Sequence, residues 1–255
     1  MAAITNSTGS VDDLATQMKD LKLTLKKDEV LAYLDINIDE TTERYNNCVE
    51  FVKTKNLAYG LSSNRLVELQ GSELARLPEL YESDYDTKQK RMIVRLPNQR
   101  IVVKLFTKVA PLACQNFLAL CTGEKGKGKS GKPLHYLGTP FHRIVKKFVA
   151  QSGDINTGTG SGGESIWGKN FKDDKLGLKK KIDKRGLLCM CNTGKNSNTS
   201  QFFFSFDKLP KLTGKHVVFG EIVFGMDVLD QIEAAGSEGE GKPTVEVIIQ
   251  ACGKI

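Results

Sequence analysis

Near residue 90 the hydrophobic pattern changes its period, and that change limits the folds open to the chain more than any other feature. Before it, apolar residues recur every three or four positions; after it, they come in short runs cut by glycine. "PFHRIVKKFVAQSGD", "RGLLCMCNTG", "SQFFFSF", "KHVVFGEIVFG" and "TVEVIIQACG" are β-rich pieces separated by Gly-rich loops. "RMIVRLPNQRIVVKLF" reads as a strand, a Pro-Asn-Gln turn and a second strand, a β-hairpin. Two compact helices interrupt the series: "APLACQNFLALC", whose Pro111 suits a first helical turn, and "MDVLDQIEAAG". Short strands, many turns and two helices predict a closed or sandwiched β domain over residues 88–255.

Residues 1–87 predict an acidic helical extension. Val11, Leu14, Met18, Leu21 and Leu25 keep a helical rhythm. "DETTERYNNCVEFVKTKNLAYG" places acids in its first turn and Gly60 where a C-cap would fall. In "SSNRLVELQGSELARLPELYES", Ser63 or Asn64 offers an N-cap before a third helix whose end Pro78 interrupts. Residues 1–90 carry a net charge of −5 and residues 91–255 of +12, so the two parts are electrically opposite. The lysine run "LKKKIDKRG" has no interleaved aromatic residues to stack on bases and reads as a solvated loop. No apolar stretch is long enough to span a bilayer, and "MAAITNSTGS" is not a secretory signal. Six cysteines without a C-x-x-C pair then suggest reduced thiols in the cytoplasm or nucleus.

Two glycine motifs invite a nucleotide reading. Gly123, Gly128, Lys129 and Ser130 complete G-x-x-x-x-G-K-[ST], yet a helix enters this loop and no long helix leaves it. Gly158, Gly160 and Gly163 spell G-x-G-x-x-G, but no helix follows to cap a pyrophosphate. Neither loop has the flanks that phosphate binding needs, so no nucleotide is expected. Three scattered histidines and no paired cysteines give no metal site.

"FHRIVKKFVAQSGD" (141–154), "SQFFFSF" (200–206) and "GKHVVFGEIVFGMDVLDQIE" (214–233) resemble the signature blocks of the cyclophilins, the peptidyl-prolyl cis–trans isomerases. The resemblance runs from about Arg91 to Ile255. It implies a closed eight-stranded antiparallel β-barrel capped by two helices, no cofactor, and proline-containing peptides and proteins as substrates. It also implies a role in folding or in switching the conformation of a partner. "CTGEKGKGKSGKPLHYLGTPFHRI" looks like the inserted loop of the divergent-loop subgroup, to which Cys121, Cys252 and Glu164 also correspond. The resemblance thus raises a thiol redox switch; the plainer reading of both cysteines is small buried residues.

Residue by residue, Arg143 matches the catalytic arginine, and Phe148 and Phe203 the walls of the proline pocket. Val149 stands where a methionine is usual, and Leu212 matches a second wall. Gln151 and His216 match polar residues beside the substrate. Cys191, Asn192 and Thr193 match the stretch that pairs with the peptide, and Gly160 a glycine that the peptide approaches. Gln201 lies in the matched "SQFFFSF" block. The chemistry suits an arginine: twisting a prolyl amide costs resonance, and a permanently charged donor can bond the nitrogen as its lone pair localises. Lys211 replaces a rim tryptophan that contacts cyclosporin, which predicts weaker cyclosporin binding. Thr193 and Thr199 add bulk near the groove. Beside the enzyme reading stands a binding module with little turnover, whose extension recruits a protein partner.

Overall fold

The computed structural model describes residues 30–84, 87 and 90–255, so the helical rhythm of Val11 to Leu25 lies outside the described residues. Eight antiparallel strands form one curled sheet: β1 (Val30–Ile38), β2 (Arg100–Leu105), β3 (Arg143–Val145), β4 (Val149–Ser152), β5 (Leu187–Met190), β6 (Phe202–Ser205), β7 (Val218–Phe224) and β8 (Val247–Lys254). Their order is β3-β4-β6-β5-β7-β2-β1-β8. The sheet is a half-barrel rather than the closed barrel expected. Its two ends meet through an isolated bridge, Pro140 to Ile248, and a few loop hydrogen bonds. A full ladder has little to build on there, because β3 has three residues and Pro140 before it has no N–H.

The two expected helices cover the sheet. Helix α3 (Pro111–Thr122) packs against β8, β1 and β7, and α5 (Met226–Ala234) against β2, β1 and β3. Phe117 of α3 sits with its ring centroid 5.3 Å from those of Tyr136, Phe202 and Phe219. A short helix, α4 (Lys175–Lys179), lies against β7.

Strand β1 comes from the part of the chain that reads as helical. It pairs with β2 from Val30↔Leu105 to Asp35↔Arg100 and with β8 from Ala32↔Lys254 to Ile38↔Val247. The hairpin expected across Pro97, Asn98 and Gln99 does not form, because β1 already occupies that edge of β2. Val30, Ile36 and Ile38 supply the β-branched character. Leu31, Ala32, Leu34 and Ile36 are all buried, so the two-residue alternation that marks a half-exposed strand is blurred.

The expected extension is therefore largely an insertion between β1 and β2, and a boundary at 87/88 cuts through it. It holds α1 (Thr41–Lys55), a 3-10 turn at Leu66–Glu68 and α2 (Ser72–Ser83). Cys48, Phe51, Val52, Leu66, Leu77 and Tyr81 form its own core, on which Met92 and Val94 of "RMIVRL" pack instead of entering the sheet. Helix α1 ends before Gly60, which turns the chain beyond it, and Pro78 is accommodated inside α2. The root of the insertion is polar. Asp39 receives Arg44 and Arg91, each at 2.8 Å, and Thr42 donates to Gln250 of β8 at 2.9 Å. Replacing residues 41–97 by a short turn should leave a cooperative melt within a few degrees of the intact protein. Deleting residues 30–38 should abolish that melt, because β8 would lose its only ladder among the described residues and β2 one of its two; circular dichroism distinguishes the two.

Candidate active site

Arg143 opens β3 opposite Gln151 on β4. A guanidinium among apolar strands needs acceptors. Its Nε donates to the carbonyl of Glu240 at 3.0 Å, and Nη1 donates to Gln151 Oε1 at 3.4 Å. Both acceptors are neutral, and among the described residues no carboxylate pairs with Arg143. The charge is held in place without being cancelled.

Beside it an apolar cluster is assembled from separate elements. Phe148 ends the turn after β3, Val149 opens β4, Phe203 lies on β6 and Leu212 on the loop before β7; all belong to one cluster with Ile182 and Leu209. Val149 and Phe203 are buried, whereas Phe148 and Leu212 keep part of their surface open. His216 meets Phe203 edge-on, with centroids 5.4 Å apart at 84°. Its Nδ1 lies 3.0 Å from the carbonyl oxygen of Met190, which can only accept, so that nitrogen carries the hydrogen. Burial lowers the pKa of His216, which keeps the ring neutral at neutral pH.

The edge beyond β5 borders this cluster. Cys191 donates its N–H to Gln201 O at 3.0 Å. Burial pushes its thiol up to about 12, although Arg143 and a bond from Gln151 pull the other way. Asn192 Nδ2 donates to Lys215 O at 2.8 Å, tying this edge to the loop that carries His216. Thr193 N–H is taken by Ser197 Oγ at 2.9 Å. Lys211 is exposed next to Leu212.

Gly160 is positioned by a hub that the sequence reading missed. The Asp154 carboxylate accepts from the N–H groups of Asn156, Thr157, Thr159, Gly160 and Gly162 and from the Thr157 hydroxyl. Burial raises its pKa, but the Thr157 hydroxyl and these backbone groups outweigh it and hold the carboxyl far below the ordinary range. Gln201 Nε2 closes the loop on the carbonyls of Gly160 and Gly162, at 2.9 and 2.6 Å. A Cβ at Gly160 would stand 2.6 Å from the His142 ring, at a φ of +90°.

The remaining candidates lie in a separate group. Cys121 is fully buried in α3, and His135 Nε2 stands 3.2 Å from its carbonyl and 3.5 Å from Cys252 Sγ. Burial holds both thiols well up, Cys252 at about 12, which works against thiolate chemistry there. Glu164 accepts from Lys129 N–H at 2.6 Å, Ser130 N–H at 3.2 Å and Ser130 Oγ at 2.7 Å. The amides of the phosphate-loop look-alike are thus taken by a carboxylate of the same chain.

The family described as cyclophilin type peptidyl-prolyl cis-trans isomerase/CLD matches residues 91–254. The chain belongs to the cyclophilin family. Its domain is of the isomerase type, and the curled eight-stranded sheet is consistent with the cyclophilin fold. The match begins at Arg91, inside the insertion, so it takes in β2 to β8 and leaves out β1, which the sheet nevertheless contains. The sequence carried a signal for Asp154, an acid directly before the Gly- and Thr-rich "INTGTGSGG". It carried none for Glu240, which contributes a backbone oxygen. Asp154→Asn should destabilise the protein by about 1.5–3 kcal/mol at neutral pH. A carboxyl with a depressed folded pKa contributes stability above its unfolded value near ~3.9 and loses it as pH falls. The difference in melting temperature between the two proteins should therefore shrink in acid.

Proposed function

We propose that the cleft beside Arg143 binds an Xaa-Pro segment and accelerates rotation about its peptide bond. The proline ring rests on Phe148, Phe203 and Leu212 over the floor made by Val149, with His216 as a neutral wall. The peptide runs along Cys191, Asn192 and Thr193 and passes the loop of Gly160, which the missing Cβ lets lie against the His142 ring. Rotation must cross a barrier of roughly 18–20 kcal/mol, set by lost amide resonance. As the amide twists, its nitrogen gains a lone pair, and an Arg143 N–H donates to it. This interaction exists only in the twisted state, so it lowers the barrier rather than merely tightening binding.

The observation that carries this reading is the neutral pair of oxygens around Arg143. An ion-paired arginine would have its charge already spent. Gln151 orients the guanidinium, and Gln201 with Asp154 holds the loop of Gly160. The enzyme works on proline-containing proteins during folding or conformational switching. A second reading, proline recognition with little turnover, draws support from the insertion, whose Leu57 and Val67 are 89% and 72% exposed and suit a protein partner.

The test is the cis-to-trans rate of a short Xaa-Pro peptide, which uncatalysed takes tens to hundreds of seconds. Clear acceleration by the intact protein is expected; binding without acceleration would replace the enzyme by the recognition reading. The rate enhancement should be flat between about pH 7 and pH 9, because His216 is already neutral, arginine stays charged and the Cys191 thiol titrates above that range. Cyclosporin should inhibit weakly, since Lys211 offers a mobile cation at the rim; tight inhibition in a titration would contradict this.

A further inference from the structure

Three residues that line the pocket are each preceded by a lysine: Lys147 before Phe148, Lys211 before Leu212, and Lys215 before His216. All three lysines are exposed, and among the described residues none has an ion-pair partner. They come from two loops that converge on one apolar cluster, the β3–β4 turn and the loop before β7.

Three of the acids nearby are engaged by other groups, while Asp183, next to Ile182, is exposed. Glu233 takes the backbone N–H of Lys147 at 2.7 Å with one oxygen and the Arg185 guanidinium at 2.5 Å with the other. Asp207 accepts the backbone N–H of Lys208 at 2.7 Å. Asp173 is held by Asn196 N–H at 2.9 Å and Asn198 Nδ2 at 2.8 Å. The three lysines beside the cluster residues therefore keep their charge available to a peptide that binds there. In contrast, Glu238 and Glu240, in the loop that supports Arg143, are exposed acids. Lysines thus adjoin Phe148, Leu212 and His216 in the chain, and acids the loop that supports Arg143.

We propose that this cleft selects acidic peptides, in which Asp or Glu side chains flank the proline and meet Lys147, Lys211 and Lys215. The inference rests on the isomerase reading of the same cleft and adds its substrate class. Exposed pairs are individually weak, but three cations around one opening act together on both encounter and residence. The same cations disfavour peptides with Lys or Arg beside the proline.

The experiment compares two peptides that differ only in Glu against Gln at the positions on either side of an Ala-Pro-Phe core. Isomerisation and affinity, the latter by fluorescence anisotropy, are measured on the full chain at low and high salt. At low salt kcat/KM should favour the Glu peptide by about fivefold, and about 0.5 M salt should largely remove the preference. The combined variant Lys147→Gln, Lys211→Gln, Lys215→Gln should bring the ratio close to one, with an unchanged far-ultraviolet spectrum to show that it is folded. Equal rates for the two peptides, a preference for Gln, or a Glu preference that survives the variant would each overturn the proposal. If neither peptide is turned over, the isomerase reading fails, while the ratio of affinities still decides whether the cleft selects acids.

Discussion

The Glu240 carbonyl and the Gln151 side-chain oxygen hold the Arg143 guanidinium without neutralising it, and much of the sheet serves to keep those two oxygens where they are. Gln151 is fixed by the β3–β4 pairing and by β6 on its other side. Glu240 belongs to the loop between α5 and β8, and that loop is laced to β3 through Ile144 N–H to Gly241 O at 2.7 Å and Ser237 N–H to Ile144 O at 3.1 Å. Strand β8 in turn pairs along its length with β1. A charged side chain at an apolar sheet edge is thus supported from two directions, and neither support consumes its charge.

The β1 pairing explains why the insertion has not broken the fold. A β-hairpin tolerates a long excursion when its two strands still meet in register, since the closure entropy grows only slowly with loop length. Asp35 faces Arg100, and Ile36 N–H still reaches Gln99 O at 2.8 Å, so the strands meet as they would across a short turn. The excursion carries its own apolar core and returns through Arg91, which pairs with Asp39 at its start. Its root also touches the segment that leads into β8: Asp39 N–H bonds Glu246 O at 2.8 Å, six residues after Glu240.

Much of this was legible in the sequence, for different reasons in different places. Strands β6 to β8 are rich in β-branched or aromatic residues, β5 is a continuous apolar run, and glycine-containing loops separate them. Arg143, Phe148, Gln151, Phe203 and His216 sit in blocks whose order resembles one family, and the fold makes them neighbours through the β3–β4–β6 ladder, one apolar cluster and the Phe203–His216 contact. Val30–Ile38 escaped because burial of consecutive residues removes the alternation that identifies a strand and because a helix, Thr41–Lys55, follows it closely in the chain. "RMIVRL" misled for the converse reason: Met92 and Val94 are partly buried, but against the insertion's own core rather than in a ladder. Full closure of the barrel was also not encoded in any local pattern, because it depends on how two distant edges meet. Glu240 acts through its backbone, for which no side-chain signal exists.

The central claim is that Arg143 acts on the twisted amide and not on peptide binding. The most direct measurement is two-dimensional exchange spectroscopy of a saturating isotope-labelled Xaa-Pro peptide on the intact protein and on Arg143→Ala, with the peptide affinity of each determined in parallel. The account predicts that the variant still binds within severalfold of the original affinity while exchange between cis and trans on the protein slows by about a hundredfold or more. Exchange at an undiminished rate in Arg143→Ala would contradict it.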